Sequence, residues 1–247
     1  MSSYGINWRT ATGNVAISAE GYGLVYLGQG WSQGYYDRGA GTAPVCTAYL
    51  VSSTYTPMVF IEAPDGVASR VISIGQINSS AWVVIVASIQ GNTIQTTTPT
   101  RYEPIVHCFA RMSGIAPAEN WGILVKDGSG NRAWDSRENM MSARAVIDWP
   151  AQSWTADGGE HQQSFTYPST IRRPAHCGFG TADGVSIIGP GTTKTQYNHI
   201  GGFNLNNGVM QRRLMMDNWW TADSGTVPLR ANYRQECSII IDVADYV

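Results

Sequence analysis

Charge is what this chain has least of. Only 14% of its 247 residues are charged, and 16 basic against 18 acidic side chains leave a formal net charge of −2. A nucleic-acid-binding surface needs a basic footprint to displace counterions from phosphates, so no nucleic-acid partner is expected. Long apolar runs are missing too. No stretch approaches the roughly 18 residues of a membrane span, and MSSYGINWRT lacks the basic and apolar regions of a secretion signal. No membrane insertion and assembly in a cytoplasm are the expectations. Cys46, Cys108, Cys177 and Cys237 are widely spaced without a CxxC, and a chain this long can build a core without staples. Reduced, buried thiols are expected, because cysteine packs as a small hydrophobe. GxSxG, HExxH, the P-loop and the dinucleotide fingerprint are absent. The sequence asks for no cofactor, and it reads as a protein that is not an enzyme.

Glycine (27 residues), Ser, Thr, Asn and aromatics fill the space that charge leaves, the vocabulary of short strands joined by tight turns. The fold class expected is all-β: two strand-rich, β-sandwich-like units with long Gly/Pro/Thr-rich loops and little helix. The strongest strand signals are VCTAYLV (45–51), MVFIEA (58–63), SRVISIGQI (69–77) and AWVVIVASI (81–89), β-branched and separated by Pro-Asp-Gly and Asn-Ser-Ser turn formers. Val83 to Ala87 is apolar throughout, which suggests a strand covered on both faces. EPIVHCFARM, ARAVIDW and CSIIIDVADYV read as further strands. Residues 31–44 lack any period and read as a loop, 150–193 reads as a long connection with SIIG (186–189) a short strand, and only 137–145 and 209–217 could be short helices. Ser113 to Pro117 looks like a hinge. It divides an N-terminal β-sandwich-like domain, 1–115, from a C-terminal β-rich domain, 116–247, that carries the long loop 150–193.

One device occurs twice. YGINWRTATGNVAISA from Tyr4 and WGILVKDGSGNRAWDS from Trp121 align without a gap at an offset of 117 (121 less 4): Gly5 meets Gly122, Ile6 meets Ile123, Gly13 meets Gly130, Asn14 meets Asn131 and Ala16 meets Ala133. An aromatic followed by Gly opens the strand, alternating side chains give one apolar face, and Gly-Asn turns the chain back. Each copy is a hairpin, and with the apolar stretch from Gly23 the first reads as a meander.

The form [YW]-G-[ILV]-x-[VW]-x-x-x-x-G-x-x-x-x-D-S, best kept in Trp121 to Ser136, resembles a device of tail proteins of tailed bacteriophages and prophages. The order is similar as well: one copy at the N-terminus, a strand-rich block opening with TPMVFIEAPDG, then the second copy. The resemblance covers roughly residues 1–140, and the first copy departs from it with Ser18 where the second has Asp135. It implies a virion structural component at the tail tip, baseplate or fibre attachment. Its implied partners are other phage tail proteins, repeated copies of itself with a trimer matching tail symmetry, and a host surface receptor.

Other chemistry is weighed against plainer readings. His107-Cys108 and His176-Cys177 look like metal half-sites, but neighbours on a strand face opposite ways, so buried Cys beside a polar His is preferred and no metal is expected. WTADGG (154–159), WTADSG (220–225) and GTADG (180–184) read as Asx-type turns. Asp148, Asp157 and Glu160 could make a glycosidase pair, but sequence does not supply the carboxylate separation that chemistry needs. Tyr35, Tyr36, Trp154, Asp157, Trp219 and Trp220 are the candidate binding residues, since an exposed indole can stack on a sugar. A receptor- or carbohydrate-binding sandwich therefore stands as the alternative, and a fibre-associated glycosidase as the third reading.

Overall fold

The computed structural model describes residues 7–9, 15–18, 23–36, 45–90, 102–111, 121–126, 129–130, 132–156, 162–178, 182–188, 194–222 and 227–247. Strands follow as β1 (Asn7–Arg9), β2 (Val15–Ser18), β3 (Leu24–Gln29), β4 (Trp31–Tyr36), β5 (Val45–Ser52), β6 (Met58–Glu62), β7 (Val67–Asn78), β8 (Ala81–Gln90), β9 (Ile105–Arg111) and β10 (Leu124–Lys126). They continue as β11 (Arg132–Asp135), β12 (Ala145–Trp149), β13 (Gln152–Ala156), β14 (Gln162–Thr166), β15 (Pro174–Cys177), β16 (Ala182–Ile188), β17 (Lys194–Asn206), β18 (Val209–Ala222), β19 (Val227–Tyr233) and β20 (Glu236–Asp242). The protein is all-β, as its composition implies. Among the described residues the one helical element is a 3-10 turn, Val243–Asp245, in which the Ala244 amide donates to the Asp242 carboxylate.

Two antiparallel layers carry the architecture. The smaller has the order β12-β20-β15-β6-β9-β3, and the larger runs β13-β19-β16-β17-β7-β8-β5-β4, with β14 joined to it through β18. The smaller sheet curls until its edges meet. Asn139–Met141, which leads into β12, pairs with Leu24–Tyr26 of β3: Tyr26 N donates to Asn139 O, Met141 N donates to Leu24 O, and Val25 bridges Met140. Closure of this kind removes unpaired edges. Its interior holds an apolar cluster of Phe60, Phe109, Ala175, Ile241 and Val243, with Tyr246 packed edge-on to Phe109 at 5.0 Å between ring centroids.

The order of the smaller sheet reads the same from both ends: a half's first strand, its last, then its middle one. Each half keeps β3-β9-β6 or β12-β20-β15, and the halves meet at antiparallel pairs: Val25 with Met140, Ile61 with His176, and, in the larger sheet, Ser69 with Phe203. The first two pairs are 115 positions apart (140 less 25, 176 less 61). The third is 134 apart (203 less 69) because the second half inserts chain, including β16, between β15 and the end of β17. Equivalent positions meeting antiparallel at three points define an approximate two-fold relation between the halves.

Between the layers lie two apolar clusters. One joins Tyr49, Val59, Ile61, Val84, Val86 and Val106 and belongs wholly to the first half; the other joins Ile147, Trp149, Phe203, Leu205, Met210 and Ile240 of the second. Both sheets, and the interior of the closed one, draw strands from either side of residue 115. The hinge at 113–117 itself lies outside the described residues. β8 is covered on both faces, with Val84 and Val86 between the layers and Ala87 and Ile89 in a separate buried cluster with Cys46 and Met215.

Several expectations are corrected. Residues 31–36 are not loop but strand β4; Gly34, at φ 84°, makes a bulge between Ser32 and Tyr35 that breaks the alternation a strand would display. Within 150–193 the structure places β13, β14, β15 and β16 rather than a long connection, and SIIG is the end of β16. Neither short helix forms. Arg137–Ala145 carries the Met140 bridge and the start of β12, and 209–217 lies in β18. Met210 and Leu214 are four apart, which mimics a helix, but Arg212 takes the buried position between them. Its guanidinium lies 5.6 Å from the Trp149 ring and 4.7 Å from that of Tyr233, and donates to the carbonyls of Arg234 (2.7 Å) and Pro150 (2.8 Å). β3 does not extend the first hairpin as a meander; it pairs with β9. Asp183 is no turn residue, since it pairs with Ile200 and Asn232 inside the sheet.

Candidate interaction surface

The two copies of the repeated device form the same hairpin. In the first, Asn7 pairs with Ser18, Trp8 with Ile17 and Arg9 with Val15, with a register shift between Trp8 and Arg9. In the second, Leu124 pairs with Asp135, Val125 with Trp134 and Lys126 with Arg132, with the shift between Val125 and Lys126. Every partner moves by 117 positions, bulge included. Both two-stranded sheets stand apart from the large ones.

The second hairpin is described in more detail. One side is held in: Val125 and Ala133 are buried, and Gly23 N donates to Ala133 O at 2.8 Å, next to the Leu24–Tyr26 seam. Asp135 is the electrostatic centre. Its buried carboxylate accepts from Arg137 Nε (2.7 Å) and Nη2 (2.6 Å), from the Arg137 amide (3.1 Å) and from Arg132 Nη2 (2.8 Å), while Arg132 also reaches Glu138. The Arg137 guanidinium, aided by Arg132, outweighs burial and holds the carboxyl down at about 2. Ser136 closes the ladder: its Oγ accepts from Ile123 N at 2.8 Å, and its own amide donates to Ile123 O. Apolar side chains exposed to water lead into β10, Trp121 at 92% and Ile123 at 49%, with Leu124 exposed at its start.

A second exposed apolar group lies on β4, the last strand of the larger sheet. Trp31 pairs with Leu50 and is 79% exposed; Tyr35, one of the candidate binding residues, pairs with Thr47 and is 51% exposed. Among the described residues no further strand pairs with β4, and Gln33 Nε2 donates back to the carbonyls of Trp31 and Ser32. Tyr36 is on β4, Trp154 on β13, and Trp219 and Trp220 on β18. β4 and β13 are opposite ends of the sheet, so Tyr35 and Trp154 are not brought together. Asp157 and Glu160 lie outside the described residues, and Asp148 is exposed on β12. Trp31 was hidden in sequence by the glycine-broken pattern of 31–44.

The two His-Cys pairs do not converge. Phe60 stands opposite His107 and Ile61 opposite His176, and neighbours on a strand face opposite ways, so the two histidines project from opposite faces of the sheet. His107 joins an internal polar cluster that sequence did not reveal. Arg173 Nε and Nη2 donate to Glu62, each at 3.0 Å, and His107 Nε2 lies 2.8 Å from the same carboxylate. Burial pushes Glu62 up, but Arg173 and His107 outweigh it and its pKa falls below the ordinary range. An ionised carboxylate can only accept, so Nε2 carries the proton and Nδ1 accepts from the Tyr26 hydroxyl at 3.2 Å. Burial lowers the His107 pKa against the pull of Glu62. His176 bonds to Ser69 Oγ at 3.0 Å and burial drives it down to about 3. The Cys108 and Cys177 thiols are pushed up by burial to about 12, which makes them poor thiolate ligands. All four cysteines are thiols, but Cys237 is exposed rather than buried. Among the described residues no three His, Cys, Asp or Glu side chains gather as a metal site would require.

Two shallow clefts complete the survey. One, of about 400 Å³, lies beside the second hairpin between Tyr26, Tyr55, Arg111 and Glu138; the other, of about 410 Å³, lies between Asp65, Tyr167, Arg172 and Asn207. Comparison with family models, with curated proteins and with solved structures finds no match.

Proposed function

We propose that the chain is a structural component of a phage or phage-derived tail, at the distal tip, the baseplate or a fibre attachment. It works through assembly: strand-rich surfaces join it to other tail proteins and to copies of itself, and it can reach a host surface receptor. One observation carries this reading, the [YW]-G-[ILV] hairpin that resembles tail-protein devices and is built twice in one register, bulge included. A feature repeated as geometry, whose second copy exposes Trp121, Ile123 and Leu124 and keeps the Asp135 carboxylate buried between arginines, fits construction better than catalysis. The test is co-purification. Tagged chain expressed during phage growth is expected to travel with tail particles through a density gradient; a chain that stays in the unassembled fraction contradicts the reading.

Receptor or carbohydrate binding is the second reading, and Trp31 favours it. An indole 79% exposed at a sheet edge offers a flat face to a sugar ring. Glycan-array binding that Trp31→Ala abolishes supports it; sugar release from host polysaccharide instead makes the chain a glycosidase.

A further inference from the structure

The stretch LGQGWSQGY, Leu27 to Tyr35, alternates without a break. Gly28, Gly30, Ser32 and Gly34 are small and half-buried, while Leu27, Gln29, Trp31, Gln33 and Tyr35 are exposed. β3 ends the smaller sheet and β4 the larger, so this alternation carries one exposed face from layer to layer through Gly30. Packing accounts for the small residue at the crossing. A Cβ on Gly30 would lie 3.2 Å from Tyr49 Cβ and from Val106 Cγ1. Packing does not account for Trp31, which leaves 79% of its surface in water, with Tyr35 51% exposed on the same strand. Aromatic surface kept in water at regular spacing is surface that a ligand recognises.

We propose that this face binds a neutral oligosaccharide, laid along β3 and β4 with its rings on Trp31 and Tyr35. The inference rests on the receptor- and carbohydrate-binding reading and names the ligand of that reading. The chemistry of the face selects a sugar chain. Indole and phenol rings offer flat apolar surface to a sugar ring, and the interleaved Gln29 and Gln33 carry amides that both donate to and accept from hydroxyls. None of the exposed side chains from Leu27 to Tyr35 is charged, so the face gives a polyanion no counter-charge. Trp31 and Tyr35 are four residues apart, about 13 Å at the rise of a strand and somewhat less across the Gly34 bulge. That is too far to clasp one ring and suits separate rings of one chain. At its Leu27 end the face runs into the cleft of about 400 Å³, which Leu27 lines together with Tyr55, Arg111 and Glu138. The Arg111 guanidinium lies 5.6 Å from the Tyr55 ring, and Glu138 is anchored by Arg132 at 2.8 Å. An aromatic ring, a donor and an acceptor gathered there receive the end of the sugar chain.

Binding of the purified full chain to an array of neutral and acidic oligosaccharides, from single sugars to hexasaccharides, tests this, followed by calorimetric titration of the tightest binder. Neutral oligosaccharides are expected to bind, and more tightly as the chain lengthens. Trp31→Ala and Tyr35→Ala are each expected to weaken binding about tenfold, the scale of one lost aromatic contact, with the strand signal in circular dichroism unchanged. Gln33→Glu, which puts a charge on the face and leaves both rings in place, is expected to weaken binding as well and keeps the test standing should loss of an aromatic disturb the strand. Trp121→Ala, at a position 92% exposed but off this face, is expected to bind as wild type does. An array on which nothing binds overturns the carbohydrate reading and the inference with it. Binding confined to acidic glycans, affinity that ignores chain length, or wild-type affinity in Trp31→Ala and Tyr35→Ala overturns this inference alone, while carbohydrate binding itself stands.

Discussion

Asp135→Asn isolates the ionic centre of the second hairpin. The carboxylate is fully buried and its pKa falls from an ordinary 3.8 to about 2 because Arg137, and then Arg132, hold its charge. At about 1.4 kcal/mol per tenfold change in proton affinity, that difference corresponds to ~2 kcal/mol of folding free energy near neutrality. The folded value lies below the unfolded one, so the contribution is complete above about pH 4 and disappears as the pH falls through about 2. Asparagine keeps the shape but not the charge. It leaves Arg137 without its carboxylate, whereas Arg132 retains Glu138. Urea denaturation followed by tryptophan fluorescence, with Trp134 inside the hairpin as reporter, is expected to show the variant ~2 kcal/mol less stable at pH 7 and the gap roughly halved at pH 3. A gap under ~0.5 kcal/mol at pH 7, the scale of an ordinary surface change, refutes the reasoning. So does a gap that is the same at both pH values.

Other consequences follow from single residues. His176 and His199 are pushed by burial to about 3 and about 4, below the ~6.5 of an unfolded chain, so stability is full above about pH 6.5 and falls toward pH 4. Urea midpoints are expected to drop between pH 7 and 5, and His176→Asn to flatten the drop; a flat wild-type profile contradicts this. A thiol reagent is expected to label Cys237 in the native protein while Cys46 and Cys108, both buried, react only after unfolding; mass spectrometry of the labelled peptides checks it. Gly178→Ala places a methyl 2.5 Å from Phe203 and 2.7 Å from Ser238 Oγ in the second core. Overpacking of this kind is expected to cost about 1–3 kcal/mol in the urea midpoint.

The strand content was legible because β-branched runs and turn formers act locally. β8 announced its two covered faces by having no polar side, and the hairpin repeat announced itself by its glycines, which obey backbone rules. The two-fold relation was not legible. The residues that meet at the seam are unlike, Val25 with Met140 and Ser69 with Phe203, because each position answers to its own surroundings rather than to its mate. β18 was missed where Arg212, stacked on Trp149 and Tyr233, sits at a core position that the binary pattern reserves for apolar residues. β4 was missed because its bulge interrupts the period. Distant partners decide the β18 case, since Arg212 needs Pro150 and Trp149, about 60 positions earlier in the chain.

The account's central claim concerns where the protein works. Gold-labelled antibody against this chain, applied to an isolated tail fraction and viewed by electron microscopy, tests that claim most directly. Label concentrated at the distal end of the tail is the predicted result; tails without label, with the protein recovered only from the soluble fraction, would contradict it.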